Sequence, residues 1–140
     1  MSSVIREFNS IAEFIKSIDE DLNDYRKKLA ELLRRLEELR VKVEHERKIK
    51  SVFTKLGLTT IETSEPKNVI DLKNIKIIMN PSTDQELNNL ESVVESLNNK
   101  ITVLTSIKKD LEVLGSLDIE VKLTTIYLEG LPKTVIIKYV

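Results

Sequence analysis

Cysteine and tryptophan are absent from the 140 residues, and glycine and proline occur only three times each. Without cysteine the chain can form no disulfide, no thiolate nucleophile and no cysteine-bound zinc site. So few turn formers point to long, uninterrupted helices. Aromatic residues make up 4% of the chain, which leaves few platforms on which nucleobases could stack. Charge of one sign is lacking too: 22 Lys and Arg face 23 Asp and Glu, for a net charge of −1. Bulk charge therefore offers nothing to draw the chain to nucleic acid or to a membrane. No apolar run approaches the ~18 residues of a membrane span, and Met1 to Glu7 lacks a basic region followed by an apolar one. A soluble, cytoplasmic protein with no membrane partner is expected.

Catalytic and metal-binding patterns are equally scarce. The single histidine, His45, is followed by Glu46 as in a metalloprotease helix, but that motif needs a second histidine at position 49, where Ile49 stands. Asp19, Glu20, Asp21 and Asp24 form an acidic cluster without the glycine-turned loop of a calcium site, so a solvated helix face is the expectation. Gly57, Gly115 and Gly130 are too scattered to build a phosphate loop. No spacing assembles a nucleophile, a base and an orienting group. The chain is expected to be no enzyme, with no cofactor and no metal.

What is present is periodicity. Apolar residues recur at alternating steps of three and four through Phe8, Ile11, Ile15, Ile18, Leu22, Tyr25, Leu29, Leu32, Leu36, Leu39 and Val43. Such an unbroken stripe reads as a coiled-coil seam with Phe8 at position a. Glu46 and Lys50 take the next two seam positions, and Ile49, Val52, Phe53 and Leu56 continue a displaced stripe up to Gly57, a C-terminal stop. Glu46 and Lys50 read either as a local ion pair at a helix end or as a lock on which partner can dock. Helix 1 is thus predicted from about residue 3 to 56.

A connector follows over 58–66. Val69, Ile70 and Leu72, then Ile75, Ile77, Ile78 and Met79, suggest two short strands around Lys73-Asn74, ended by Asn80-Pro81. Ser82 and Thr83, with Gln85 and Glu86 three residues on, have capping-box spacing. They open a second helix, about 83–114, with the stripe Leu87, Leu90, Val94, Leu97, Ile101 and Leu104 continuing to Ile107, Leu111 and Leu114. The tail alternates through Ile119, Val121 and Leu123, with a bulge expected at Thr124-Thr125, a turn at Gly130-Leu131-Pro132 and a last strand from Thr134 to Val140.

The resulting expectation is an α+β fold in the order α-ββ-α-ββ: a long antiparallel coiled-coil stalk carrying a small head with a four-stranded antiparallel sheet. Residues 1–57 would form the oligomerisation stalk, and 58–140 the head containing helix 2.

Charge along helix 1 is polarised. Residues 1–25 carry two cations and six anions, whereas residues 26–57 carry eleven cations and five anions. Arg26, Arg40 and Arg47 flank the stripe on one side and Lys28, Arg35 and Lys42 on the other, so a parallel in-register dimer would set like charges together. Folding helix 2 back, with Asp84, Glu86, Glu91 and Glu95 along that basic half, removes the conflict. So does antiparallel pairing of two copies. The N-terminal stretch Phe8, Ile11, Phe14, Ile15 and Ile18 is expected to reach beyond helix 2 and to seek cover in a homodimer or other homo-oligomer. The function expected is a non-catalytic structural or adaptor protein that self-associates through its coiled coil and offers its head to a protein partner. Nucleic-acid binding through Arg26, Lys28, Arg34, Arg35, Arg40, Lys42, Arg47 and Lys48 is the alternative. It is not favoured, because acidic partners within the fold account for the same residues.

Overall fold

The computed structural model describes residues 4–57, 68–114 and 120–139. The expected connector over 58–66, and Gly115, Ile119 and Val140, lie outside the described residues. The fold is α+β, with two helices and antiparallel strands. In chain order the elements are β1 (Ile5–Phe8), α1 (Ile11–Lys55), β2 (Val69–Asp71), β3 (Lys76–Ile78), α2 (Thr83–Glu112), β4 (Val121–Leu128) and β5 (Leu131–Tyr139).

The single four-stranded sheet is not found. Five described strands form two sheets, one with the order β1-β4-β5 and the other a β2-β3 hairpin. The additional strand, β1, occupies residues expected to be helical, and it pairs antiparallel with β4 from Ile5 opposite Ile126 to Phe8 opposite Leu123. A cap decides where α1 starts. Ser10 Oγ accepts the Glu13 N–H at 3.0 Å, and Glu13 Oε2 accepts the Asn9 N–H at 2.7 Å. These bonds satisfy donors that a helix start otherwise leaves open. Phe8 then stacks on Phe14 across the cap, with ring centroids 5.1 Å apart, so its place in the heptad is fortuitous. At the other end Gly57 has φ 78° and donates its N–H to the Thr54 carbonyl, closing α1 as expected. The start of α2 is a reciprocal capping box, in which Gln85 N–H donates to Ser82 Oγ at 3.2 Å and Ser82 N–H to Gln85 Oε1 at 2.9 Å.

The chain divides into two compact units, and each helix contributes to both. Unit 1 comprises 1–30 and 95–140; unit 2 is 31–94. In unit 1 the inner face of β4 alternates cleanly: Val121, Leu123, Thr125 and Tyr127 are buried while their neighbours are exposed or half-buried. That face closes on Phe14, Ile18 and Leu22 of α1 and on Leu104 of α2 to make the main core. Phe14 and Ile18 are 1% exposed, so the N-terminal stripe expected to seek a second copy is covered within its own chain. The irregularity in the β4–β5 pairing falls at Ile126/Tyr127 rather than at Thr124-Thr125. The turn between these strands is Glu129-Gly130, with φ 55° and 79°. Two consecutive positive φ values mark a two-residue turn whose twist suits the hairpin, and Leu131 already pairs with Leu128.

Candidate interaction surfaces

Within unit 1 the charges are used in place. Arg6 Nη1 on β1 donates to Asp21 Oδ2 at 3.1 Å and to Ser17 Oγ at 3.3 Å, and the guanidinium lies 4.5 Å from the centre of the Tyr127 ring. Asp19 receives Lys108 of α2 at 2.7 Å. This hydrogen bond, ahead of the attraction of the two charges, raises the Lys108 pKa against the opposing effect of desolvation. Two members of the acidic cluster are thereby neutralised, while Glu20 and Asp24 face solvent. Burial, the largest cause, raises the pKa of Tyr127, and Arg6 opposes it. Tyr25 is likewise raised, first by burial and then by Asp21. Thr125 is 0% exposed and its Oγ1 has no hydrogen-bond partner.

In unit 2 the two helix segments are linked by polar pairs. Arg40 lies 3.9 Å from Glu91, and Thr83 Oγ1 donates to Glu46 Oε1 at 3.0 Å. These pairs run the two helix segments antiparallel, with acidic α2 beside basic α1. Glu46 therefore interrupts the stripe at the point where it receives the first residue of α2, a position that also suits a carboxylate near a helix N-terminus. Leu36, Val43 and Val94 are buried between the segments, and Leu32, Leu39, Leu87 and Leu90 are half-buried.

The β2–β3 hairpin is tied to this pair through Asn68 and Gln85, whose side-chain amides bond reciprocally at 2.7 and 3.0 Å. Register places Val69 opposite Ile78, Ile70 opposite Ile77 and Asp71 opposite Lys76. Strand alternation thus puts Ile70, Leu72, Ile75, Ile77 and Met79 on one face. All five are exposed, from 40% at Ile77 to 62% at Ile75. Beside the hairpin, Leu39, Ile78, Pro81, Leu90 and Val93 line an open groove of about 430 Å³, with Arg35, Glu86 and Asn89 completing its rim. Ile49, Val52, Phe53 and Leu56 at the end of α1 are also exposed.

The eleven stripe residues, from Phe8 on β1 to Val43 on α1, are all buried or half-buried within one chain. The eight cations Arg26, Lys28, Arg34, Arg35, Arg40, Lys42, Arg47 and Lys48 are all exposed on α1. Their spacing sets them on both sides of the stripe rather than on one face, and Glu37 and Glu44 share a shallow surface with Arg40, His45 and Lys48. His45 is exposed. Among the described residues no three of His, Asp and Glu gather as a metal site requires, and no helix is long and apolar enough to cross a membrane. The apolar hairpin face is the feature missed in the sequence. Its signal was the alternation of Ile70 with Leu72 and of Ile75 with Ile77 and Met79, legible once Asp71 and Lys76 are seen to share the opposite face.

Comparison with known protein families, with characterised proteins and with solved structures finds no match. The functional reading therefore rests on these surfaces.

Proposed function

We propose that the chain is a non-catalytic adaptor that self-associates and docks a protein partner on the apolar face of the β2–β3 hairpin. The observation that carries this reading is the hairpin face itself. A two-stranded sheet is marginal in water unless something covers it, and large aliphatic side chains gathered on an outward face mark an interaction surface. The neighbouring groove and the exposed end of α1 extend the apolar surface available in unit 2. Self-association through the heptad stripe would have to use its displaced continuation, Ile49 to Leu56, because the stripe up to Val43 has cover within the chain.

A photo-crosslinking residue in place of Ile75 tests the docking face in the native cell. It should yield one discrete adduct that disappears when Ile70 and Ile77 are both changed to Asp. No adduct, or one indifferent to those changes, would remove the hairpin from the reading. The nucleic-acid alternative draws on the exposure of all eight α1 cations. Binding of that kind would show a mobility shift at low salt and a steep loss with added salt, about −0.9 in log–log slope per phosphate neutralised on duplex DNA. Absence of a shift with both duplex and single strands would leave the adaptor reading alone.

A further inference from the structure

We infer that two copies of the chain pair through the edge of β5 that no described strand covers, antiparallel and about a two-fold axis at Ile136, to give a continuous six-stranded sheet. This rests on the proposed self-association and assigns it a surface.

The two edges of the β1-β4-β5 sheet are unlike. β1 has four residues and β5 has nine, with Pro132 near its start. A short strand is a protected edge, whereas a long regular one offers unpaired N–H and C=O groups to another strand. The outward-pointing residues follow from the ladder. Tyr127 N–H donates to the Val4 carbonyl at 2.7 Å, which turns the odd-numbered residues of β4 toward β1 and the even-numbered ones toward β5. Lys122, Thr124 and Ile126 face Lys138, Ile136 and Thr134. Those three β5 residues therefore bond to β4, and Val135, Ile137 and Tyr139 direct their backbone groups to the open side. The register skips Lys133 between Thr134 and Pro132, which places a bulge there and limits the regular edge to 134–139.

Side chains along this edge are apolar on both faces. Ile136 on the outer face is 43% exposed, and on the inner face Ile137 is 44% and Tyr139 82% exposed. A strand with two apolar faces belongs inside a sheet, yet β5 is at its border. A second copy answers this need in one register. With the axis at Ile136, Ile136 meets Ile136 of the second copy, each Ile137 meets a Val135 and each Lys138 meets a Thr134. Shifting the axis to Val135 sets Ile137 opposite Lys133; shifting it to Ile137 sets Ile136 opposite Lys138. Only the Ile136 axis gives both isoleucines aliphatic partners and keeps every lysine from a like charge.

Because the chain has no cysteine, single introduced cysteines report this register directly. On the axis Ile136 is a non-hydrogen-bonded pair, with Cα atoms about 4.5 Å apart, within reach of a disulfide. Under mild oxidation Ile136→Cys should become a covalent dimer almost completely. Thr134→Cys and Lys138→Cys should form no disulfide alone and should cross-link to each other when mixed. Light scattering should give the wild-type chain twice its monomer mass. Ile137→Pro should halve that mass with helicity kept, since the lost N–H points away from β4, and its melting temperature should lose the rise with protein concentration that the wild-type dimer shows. A dimer that fails to cross-link through position 136 would overturn the β5 pairing and leave self-association standing. A monomeric wild-type chain would overturn both.

Discussion

Unit 1 and unit 2 are built from consecutive lengths of the same two helices, yet they bury their side chains to different extents. In unit 1 a three-stranded sheet closes over the helix pair, and seven residues form one buried cluster. In unit 2 the helix segments meet through Leu36, Val43 and Val94, and the hairpin turns its larger apolar face outward. An amphipathic helix pair leaves a flank uncovered on each side of its seam, so a third layer is needed to complete a core. Unit 1 has that layer, whereas among the described hairpin residues the apolar side chains Val69 and Ile78 are half-buried and the other five apolar ones are exposed. The first unit holds the closed core, and the second leaves an apolar face exposed, which is where the proposed partner would dock.

The largest expected effect tests this contrast directly. Leu104→Ala in unit 1 should cost about 2–5 kcal/mol, because a fully buried leucine leaves a cavity. Ile77→Ala in unit 2 should stay within about 1 kcal/mol in the isolated chain, since that side chain already meets water. Equal losses in chemical denaturation would erase the distinction. Next comes Arg6→Met, which should cost about 1–3 kcal/mol by stranding the half-buried Asp21 and loosening β1. Hydrogen exchange should then quicken at residues 5–8 and along β4, with residues 31–55 unchanged.

Alkaline pH should also act on unit 1 first. The raised pKa values of Tyr25 and Tyr127 mean that the folded state holds their protons more tightly than the unfolded chain does. Their contribution is complete below the ordinary phenol value of 10.0 and is lost as pH rises through the folded values. The raised pKa of Lys108 acts in the same direction above 10.5. Stability should therefore fall above about pH 10, tyrosinate absorbance rising with it, and less so in Tyr127→Phe.

A gain is expected from Thr125→Val, which removes a buried hydroxyl lacking a partner and keeps the β-branched shape; about 1 kcal/mol should appear as a higher denaturation midpoint. Smallest is Glu129→Asn, worth about 0.5 kcal/mol, because asparagine tolerates the positive φ of that turn position better than glutamate. If it destabilises instead, the turn is not the two-residue form.

Local chemistry was readable wherever residues close in sequence decide the outcome. The Ser82–Gln85 box, the Gly57 stop, the α2 stripe and the β2–β3 hairpin all follow from spacings of a few residues. Ser10 and Glu13 carried the same signal as Ser82 and Gln85, but Phe8 sits three residues before Ile11 and so extended the heptad through the cap. Of the candidate surfaces, the basic residues of α1 were identifiable as exposed, while the outward face of the hairpin was not recognised as one. Whether a strand's apolar face points inward depends on what packs against it, and alternation is the same either way.

By itself the sequence determined that there are two long helices, the Gly57 stop of α1 and the β2–β3 hairpin, and it offered the acidic start of α2 beside the basic half of α1 as one of two antiparallel pairings. Only the tertiary structure decided that residues 5–8 leave the helix to pair with β4, more than 100 residues away, and that the strands divide into two sheets. It also decided that Phe14 and Ile18 are buried in the core of unit 1 by residues of the same chain. The physical reason is that caps and periodicity act over one or two turns of chain, whereas strand partners and burial depend on contacts between distant segments. A stripe that asks for cover does not say which surface will provide it.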